Sequence, residues 1–437
     1  MFEGIPKLME PKPLHPCKGE HDRLQTLLKI TRTIATELNL DNLLKLIMDE
    51  VREALHADRC TVFLVDIPRK ELWSKVAHGI EPGEIRFPAT KGIAGYVAMT
   101  GEVLNIPDCY KNPHFNPEID IQTGYRTRSM LTFPMRNKKG EIIGVFQVLN
   151  KLAGLFTHED EEMLSAISII ASSQIENAQL YEEQEKTFES FVETLASTID
   201  ARDPLTAGHS RRIKLYADEI ARLAGLSPEE RKILRTSALL HDVGKIGVRE
   251  NVLTKGSKLT EDEYEHIKSH VVITRNILSK IHFTRENSII PDIASTHHEK
   301  LDGSGYPDGL KGNKIPLGGK ILAIADVFDA LTSIRHYRDR MDFSQVLDHL
   351  NRDSGTKYDS RLIRAFEKIR LDRLIEIIEN THTDLLNQGA LESLHPYTLL
   401  DLDQVLKNGE PQHKPEFVKI FENYYYRKYI RPKKTEA

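Results

Sequence analysis

The His241-Asp242 pair, which closes an apolar run, constrains this chain more than any other feature of its sequence. Residues 238–247 read Ala-Leu-Leu-His-Asp-Val-Gly-Lys-Ile-Gly. The run predicts a helix whose end presents an imidazole nitrogen beside a carboxylate oxygen. Imidazole suits first-row transition metals such as iron, manganese, nickel or zinc, and a carboxylate can bridge two cations. The pair is therefore a candidate metal site at the end of a helix.

More side chains of the same chemistry occur on both sides of this pair. His270 and the tandem His297-His298 follow it, and Asp326 lies inside a second apolar run. His209 lies upstream, in Thr-Ala-Gly-His-Ser. Any one of the 18 histidines is more often a surface residue or a hydrogen-bonded residue than a ligand. Taken together, however, these side chains would fill two adjacent metal sites in one pocket.

A glycine-rich loop follows the tandem histidines directly. Residues 299–309 read Glu-Lys-Leu-Asp-Gly-Ser-Gly-Tyr-Pro-Asp-Gly. Glycines allow a backbone to approach a ligand closely. The loop is not a Walker phosphate loop, because no Gly-Lys-Ser/Thr follows it.

Three motifs carry a resemblance to a known family. They are His241-Asp242-x-Gly-Lys245, His297-His298-Glu299-x-x-Asp302-Gly-x-Gly305-Tyr306-Pro307 and Asp326-Val-Phe-Asp329-Ala-Leu-Thr. Together they resemble the HD-GYP family, a branch of the HD-domain phosphohydrolases, over residues 188–370. The resemblance implies an all-α domain that hydrolyses the bacterial second messenger cyclic di-GMP to pGpG or GMP.

The resemblance also implies a metal centre and its ligands. Two metals about 4 Å apart can hold a bridging water, lower its pKa and clamp a phosphodiester for in-line attack. We expect two transition-metal ions per chain, iron or manganese ahead of nickel or zinc, with Asp242 as the bridge. By position, the ligands would be His241, Asp242, His270, His297, His298 and Asp326.

Substrate contacts follow from the same resemblance. Lys245, one helical turn after His241, would face the pocket and neutralise a phosphate oxygen. Tyr306 would contact the substrate. Arg335 and Arg338 match the basic residues with which the family binds phosphate, and guanidinium groups suit that task.

One departure from the family pattern bears on the metal count. The chain reads Asp203-Pro-Leu205-Thr-Ala-Gly-His209, whereas some members have Glu at the position of Leu205, where it helps to hold a third metal. Leu205 has no donor atom, so we predict two metals rather than three. His209 then becomes a weaker ligand candidate, or a residue that contacts the substrate or supports another ligand.

Composition and charge exclude several classes of protein. A chain of 437 residues should hold two to three domains with substantial cores. A formal net charge of −5 argues against a general nucleic-acid binder. No apolar stretch approaches 18 residues, and the first residues lack the pattern of a signal peptide. We therefore expect a cytoplasmic protein with no nucleic-acid or membrane partner.

The first part of the chain differs from the second in its periodicity. After a Pro- and Lys-rich leader, residues 1–21, helical spacing of apolar residues covers 22–56. Short runs with alternating or β-branched residues follow at 60–65, 129–135 and 142–150. These patterns predict an α+β domain in which an antiparallel sheet is flanked by helices.

Residues 22–182 resemble a GAF domain of the type that binds cyclic nucleotides in phosphodiesterases and adenylyl cyclases. The motifs are Gly92-Ile-Ala-Gly95-Tyr-Val-Ala-Met-Thr-Gly101, Leu104-Asn-Ile-Pro-Asp108 and Thr123-Gly-Tyr-Arg-Thr-Arg-Ser129. The signature called NKFDE is also present, as Asn150, Lys151, Phe156, Asp160 and Glu161. The resemblance implies cAMP or cGMP as a regulatory ligand. The alternative is a silent or dimer-forming domain, in which a Lys151–Asp160 ion pair only ties the last strand to the next helix.

A long helix should connect the two domains, from about Glu159 into the 190s, with the boundary at 183–187. Its apolar residues step by three and four, which suits a seam between paired helices, so we expect a homodimer through this helix. The seam positions are Leu164, Ile167, Ala171, Ile175, Ala178, Phe188, Val192, Leu195 and Ile199. Residues 371–437 are predicted to form a helical extension of unknown role.

The leading functional hypothesis is a metal-dependent cyclic di-GMP phosphodiesterase regulated by its GAF domain. One alternative keeps the enzyme class but changes the substrate to another cyclic dinucleotide such as cGAMP. The second alternative is a catalytically silent module that senses nucleotides. A binding-only protein would not need six metal ligands, and the sequence therefore favours the enzyme.

Overall fold

A computed structural model describes residues 18–74, 85–202, 208–333, 340–380, 386–408 and 414–426. The chain divides into two compact units, Met1–Lys186 and Thr187–Ala437. The first unit is built around a sheet, and the second is helical, in agreement with the predicted fold class.

The first unit contains a six-stranded antiparallel sheet with the strand order β3-β2-β1-β6-β5-β4. The strands are β1 (Ala57–Asp66), β2 (Glu71–Ser74), β3 (Ile85–Pro88), β4 (Leu104–Ile106), β5 (Met130–Arg136) and β6 (Ile142–Lys151). The helices of this unit are α1 (Lys18–Ile34), α2 (Leu40–Ala54), α3 (Gly92–Thr100), α4 (Glu118–Thr123) and the first part of α5 (His158–Arg202).

The sheet has an apolar core on each face, because successive side chains of a strand point to opposite sides. One core lies among α1, α2, α5 and the sheet, and includes Leu131, Phe146 and Phe156. The other lies among α3 and the sheet, and includes Val97, Met130 and Val145.

Helix α5 begins at His158 and continues to Arg202, as the sequence predicted. The seam interpretation of its first part was wrong, because these apolar side chains are fully buried against the sheet of their own unit. They are Leu164, Ile167, Ala171, Ile175 and Ala178. Of the later positions, Val192 and Ile199 are also buried, whereas Phe188 is 38% exposed. Helical periodicity identifies an apolar face but not the surface that covers it.

The second unit is formed by helices with no strand among its described residues. Its helices after α5 are α6 (His209–Leu223), α7 (Pro228–Leu240), α8 (Glu250–Leu253), α9 (Glu261–Leu278), α10 (Ile290–Ala294), α11 (Leu317–Thr332), α12 (Phe343–Arg352), α13 (Ser360–Phe366), α14 (Leu371–Ile378), α15 (Gln388–Leu394), α16 (Leu399–Asn408) and α17 (Glu416–Tyr425).

The last four helices belong to the core of this unit. Leu374 and Ile375 of α14 and Phe421 and Tyr425 of α17 are buried in the same apolar cluster as Phe328 of α11. The helical extension predicted after residue 370 therefore packs against the helices that carry the candidate site. No helix in the described part of the chain is long and apolar enough to cross a membrane.

Candidate metal centre

The end of α7 positions His241 and Asp242. The helix starts at a capping box formed by Ser227 and Glu230 and ends at Leu240, so that His241 is its C-terminal cap. The chain then turns through a short 3₁₀ segment that contains Gly244. The His241-Asp242 pair therefore projects from a helix end whose last turn is buried.

Helix α9 packs directly against this 3₁₀ segment. A Cβ atom on Gly244 would lie only 1.9 Å from the carbonyl oxygen of His270, so the position requires glycine. The Thr274 hydroxyl accepts a hydrogen bond from the Gly244 amide (2.9 Å) and donates one to the His241 carbonyl (3.1 Å). These contacts bring His270 next to Asp242.

Asp242 lies at the centre of the histidines. Its Oδ1 atom lies 3.2 Å from Nε2 of His270 and 4.0 Å from Nε2 of His297. Its Oδ2 atom lies 3.4 Å from Nε2 of His241 and 3.7 Å from Nε2 of His209. The two oxygens of one carboxylate thus face two different sets of imidazoles.

All seven side chains that the sequence marked as metal-ligand candidates converge in this one cluster. Within the described residues, three groups have ligand atoms within 4.8 Å of one another. The groups are His270, His297 and His298; His209, His241 and Asp326; and His241, Asp242 and His297. His209, the weaker candidate by sequence, lies inside the cluster, 3.5 Å from Oδ1 of Asp326.

Three of the histidines are oriented by their own backbone. The Nδ1 atoms of His241, His270 and His297 lie 2.7, 2.6 and 2.7 Å from the carbonyl oxygen three residues earlier. Their Nε2 atoms are buried and have no hydrogen-bond partner among the described residues. Because buried polar atoms are rarely left unpaired, these nitrogens fit a metal ion as their partner.

Charges inside the cluster shift several pKa values. Burial alone would raise the pKa of Asp242, but the charges of His241 and Lys245 outweigh it and hold this pKa well below its ordinary value. Burial lowers the pKa of His297 and of His298, and neighbouring imidazoles lower both further. These two histidines are therefore neutral at pH 7 and offer lone pairs to a cation.

His241 behaves differently. Burial lowers its pKa, but the Asp242 carboxylate and then Asp326 outweigh this effect and raise the pKa to about 9. A metal ion bound there would replace the proton on the imidazole.

The glycine-rich loop is fixed beside the cluster by Glu299. The carboxylate of Glu299 is buried and accepts hydrogen bonds from the backbone amides of Asp308 (2.8 Å) and Leu310 (2.9 Å). A Cβ atom on Gly305 would lie 2.5 Å from Glu299 Cα, so only glycine allows this close turn. The loop thereby stacks the Tyr306 ring on His298, with ring centroids 4.7 Å apart.

Some predicted residues lie outside the described part of the chain. Arg335 and Arg338 fall in 334–339, and Leu205 falls in 203–207. Phosphate binding by the two arginines and the absence of a third metal therefore remain predictions.

Sequence reasoning missed the residues that support the cluster. Glu299 and Asp329 were part of the quoted motifs but received no role, and Thr274 and Arg212 were not singled out. Asp329 lies one helical turn after Asp326 in α11, and this spacing is the signal that could have identified it. Burial alone would raise its pKa, but the Arg212 guanidinium and His209 hold that pKa far below its ordinary value.

The five residues of the NKFDE signature lie at the junction of β6 and α5. Lys151 Nζ forms a 2.6 Å ion pair with Asp160, and both side chains are 13% exposed. The side-chain Nδ2 atom of Asn105 donates hydrogen bonds to the Phe156 carbonyl (3.0 Å) and to Glu161 Oε1 (2.9 Å). The ion pair that the alternative interpretation assumed is therefore present.

Asn150 fixes the segment that precedes β5. Its Oδ1 atom accepts hydrogen bonds from the amides of Arg128 (2.6 Å) and Ser129 (3.2 Å). Its Nδ2 atom donates to the Tyr125 hydroxyl (2.8 Å) and the Arg126 carbonyl (3.0 Å). The signature thus contributes to the architecture of the domain.

Comparisons with known proteins agree with both resemblances. Residues 39–175 match the GAF domain family, and residues 193–362 match the HD domain family. The chain is 39% identical over 180 residues to 3'3'-cGAMP-specific phosphodiesterase 3 of Vibrio cholerae serotype O1, covering 41% of this chain and 38% of that protein. It is 42% identical over 173 residues to the cyclic di-GMP phosphodiesterase response regulator RpfG of Xanthomonas campestris pv. campestris, covering 39% of this chain and 45% of that protein.

A third relative comes from a different group of organisms. The chain is 39% identical over 183 residues to the dual 3',5'-cyclic-AMP and -GMP phosphodiesterase 11A of Takifugu rubripes, covering 39% of this chain and 20% of that protein. The chain thus spans less than half the length of each of these three relatives.

Proposed function

We propose that this chain, which carries a GAF domain followed by an HD domain, is a metal-dependent phosphodiesterase that hydrolyses cyclic di-GMP. The observation that carries the proposal is the convergence of seven candidate ligands, with Asp242 at their centre, in the HD unit. Relatives named as cyclic di-GMP and cGAMP phosphodiesterases support the choice of a cyclic dinucleotide.

Two metal ions per chain fit the donors of this cluster. Imidazole nitrogens and carboxylate oxygens are ligands of iron, manganese, nickel and zinc, and we favour iron or manganese. Bound ions would supply a water of lowered pKa and positive charge for the diester. Elemental analysis of the purified chain should give close to two ions, and a stable third ion would contradict the interpretation of Leu205.

The residues of the chain take distinct roles in this proposal. Asp242 suits a bridging ligand, because its Oδ1 and Oδ2 atoms face different imidazoles. The Lys245 ammonium, which is 15% exposed, would neutralise a phosphate oxygen of the substrate. Tyr306 borders the cluster and would contact the substrate, while Lys268 Nζ lies 5.6 Å from its ring centroid. Arg335 and Arg338, which lie outside the described residues, would bind phosphate.

The decisive experiment incubates the metal-loaded full chain with cyclic di-GMP and separates the products. We expect pGpG, GMP or both, and we expect a chelator to stop the reaction. If cyclic di-GMP stays intact after prolonged incubation with the metal-loaded chain, the proposal is wrong. A chain that binds cyclic di-GMP without cleaving it would instead be the catalytically silent sensor.

A second substrate, 3'3'-cGAMP, is favoured by the relative of that specificity at 39% identity. The same assay with both cyclic dinucleotides in competition measures the ratio of the two kcat/KM values directly. We expect cyclic di-GMP to be preferred. If the ratio favours cGAMP, the proposed substrate would be wrong, but the proposed metal centre and reaction would stand.

The GAF domain is proposed to bind cAMP or cGMP as a regulatory ligand. The relative named as a dual cAMP and cGMP phosphodiesterase supports this. So does Thr132 on β5, which points to the same face as Met130 in the core beneath α3. Its Oγ1 atom is buried and lacks a hydrogen-bond partner within the part of the chain that the structure describes, while Gln147 lies beside it on β6. A ligand with polar edges would satisfy this hydroxyl.

Regulation can be tested in the full chain. Allosteric couplings of about 1–3 kcal/mol correspond to a 5- to 150-fold change in affinity, so cAMP or cGMP should change cyclic di-GMP hydrolysis within that range. The Thr132→Val variant, which keeps the side-chain shape, should weaken the nucleotide effect and leave basal hydrolysis unchanged. If calorimetry detects no heat of binding for either nucleotide, the domain would instead be a dimerisation element or a sensor of another ligand.

A homodimer through α5 also belongs to this proposal. Tyr181, Phe188 and Phe191 are 45%, 38% and 57% exposed, and their spacing of seven and three residues fits a heptad seam. Sedimentation of the wild-type chain should give a dimer, and Phe191→Glu should give a monomer. A monomeric wild-type chain would contradict the dimer and leave the proposed hydrolysis untouched.

A further inference from the structure

His209 is held differently from the histidines that are oriented by their own backbone. His241, His270 and His297 each direct Nδ1 to a carbonyl oxygen three residues earlier. His209 is the first residue of α6, directly after the N-cap Gly208. Its Nδ1 atom lies 2.8 Å from Oδ2 of Asp329, 120 residues along the chain. A carboxylate from another helix therefore replaces the backbone acceptor.

Arg212 completes the arrangement from the next turn of α6. Its Nε atom donates to Oδ1 of Asp329 (2.6 Å), and its Nη2 atom donates to Oδ2 (2.9 Å). The Ser333 hydroxyl lies 3.1 Å from the same Oδ2 atom. Asp329 is 1% exposed, so its charge needs these partners, because an unpaired carboxylate in the interior is strongly destabilising.

This network fixes the tautomer of His209. An ionised carboxylate only accepts hydrogen bonds, so Nδ1 carries a proton and Nε2 is the nitrogen left to coordinate a metal ion. That Nε2 atom lies 3.5 Å from Asp326 Oδ1 and 3.7 Å from Asp242 Oδ2, inside the candidate metal cluster. A carboxylate partner also raises the basicity of an imidazole ligand.

We propose that Asp329 and Arg212 are positioning residues that act through His209 and hold its imidazole with Nε2 directed into the candidate metal cluster. The inference rests on the metal centre of the proposed function but not on its substrate or on catalysis. It therefore has a test that is independent of hydrolysis, namely the affinity of the metal-free chain for Co²⁺.

The informative variant is Asp329→Asn. Arg212 would still hold the amide oxygen, so the amide NH₂ group would face His209. Nδ1 would then have to accept a hydrogen bond, and the proton would move to Nε2, where it blocks coordination. Loss of such a supporting partner typically weakens metal affinity 10- to 100-fold, and we expect a decrease of about that size for one class of Co²⁺ sites.

A double-mutant cycle separates this role from general destabilisation. If Asp329 acts through His209, the double variant of His209→Ala and Asp329→Asn should bind Co²⁺ no more weakly than His209→Ala alone. Additive losses, or an unchanged affinity in Asp329→Asn, would overturn the proposal. Optical spectra of bound Co²⁺ should show the same loss of one nitrogen ligand in both single variants.

Asp218→Asn provides a matched control on the same helix. Asp218 is held by Arg231 (2.6 Å) and Arg235 (2.9 Å), so this variant also breaks a carboxylate–arginine pair of α6 but leaves the cluster untouched. Its Co²⁺ affinity should equal that of the wild type. An equal weakening in Asp218→Asn and Asp329→Asn would show a general loosening of α6 and refute the specific role.

A measurement on the wild-type chain covers the case in which Asp329→Asn does not fold. In ¹⁵N-histidine spectra of the metal-free chain, the resonances that disappear in His209→Ala belong to His209. They should show a proton on Nδ1 that is hydrogen-bonded to a carboxylate. An unprotonated Nδ1 would contradict the proposal without any change to Asp329.

Discussion

The Nζ atom of Lys245 lies 2.7 Å from Oδ2 of Asp242, the carboxylate at the centre of the histidine cluster. The lysine therefore neutralises a candidate ligand before any substrate arrives. Its short 3₁₀ segment, Val243–Gly247, is fixed against α9 through Gly244. A cation held in this way is ready to pair with a phosphate oxygen at little further cost in side-chain entropy.

Replacement of this lysine should separate metal binding from catalysis. We expect Lys245→Ala to keep its metal ions and to lose about 100-fold or more in kcat, because one preorganised charge is typically worth that much in a transition state. Hydrolysis of cyclic di-GMP and elemental analysis of the same sample measure both quantities. If Lys245→Ala loses metal in proportion to its loss of activity, the main role of Lys245 would instead be its ion pair with Asp242.

The central carboxylate should be indispensable. Asp242→Ala removes the carboxylate whose two oxygens face separate sets of imidazoles at the centre of the cluster, so turnover should be abolished and bound metal reduced. Asp262→Ala, which alters an exposed aspartate in the first turn of α9, serves as the control and should retain both. Near-normal hydrolysis by Asp242→Ala would refute the two-metal assignment.

Asn150 should matter for the stability of the first unit. The residue has a φ of 55° and four side-chain hydrogen bonds, so Asn150→Ala should lower the free energy of unfolding by about 2–4 kcal/mol. Trp73, the only tryptophan, lies in β2 and reports this unit's unfolding in urea. Asn150→Gly loses the same hydrogen bonds, but glycine adopts a positive φ without strain. Its free energy of unfolding should therefore fall by about 1 kcal/mol less than that of Asn150→Ala.

The pairing of Asp218 predicts an acid-dependent contribution to stability. Burial alone would raise the pKa of Asp218, but hydrogen bonds from Arg231 and Arg235 outweigh it and lower this pKa below 3.8. The stabilisation is therefore present above the unfolded pKa and lost as pH falls through the folded one. The difference in free energy of unfolding between wild type and Asp218→Asn should be about 1 kcal/mol at pH 7 and should shrink below pH 4. A pH-independent difference would contradict this.

Local patterns in the sequence determined the elements and the donor atoms of the site. The apolar run before His241 predicts a helix end, and the spacing after Glu159 predicts the long helix, because both follow from a period of 3.6 residues. The ligand types also follow from composition alone, since imidazole and carboxylate have fixed metal chemistry. Residues 371–437 were predicted to form a helical extension, but no role could be assigned to it.

Only the tertiary structure decided which surfaces and partners these elements meet. Leu164 and Ile167 have the spacing of a helix seam yet are buried in their own unit, because periodicity does not specify the covering surface. Leu374 and Tyr425 pack into the core of the candidate catalytic unit for the same reason. His209 changed from a weak candidate to a central one, because its orientation depends on Asp329, 120 residues away. Such a contact depends on the packing of α6 against α11, which no local sequence pattern encodes.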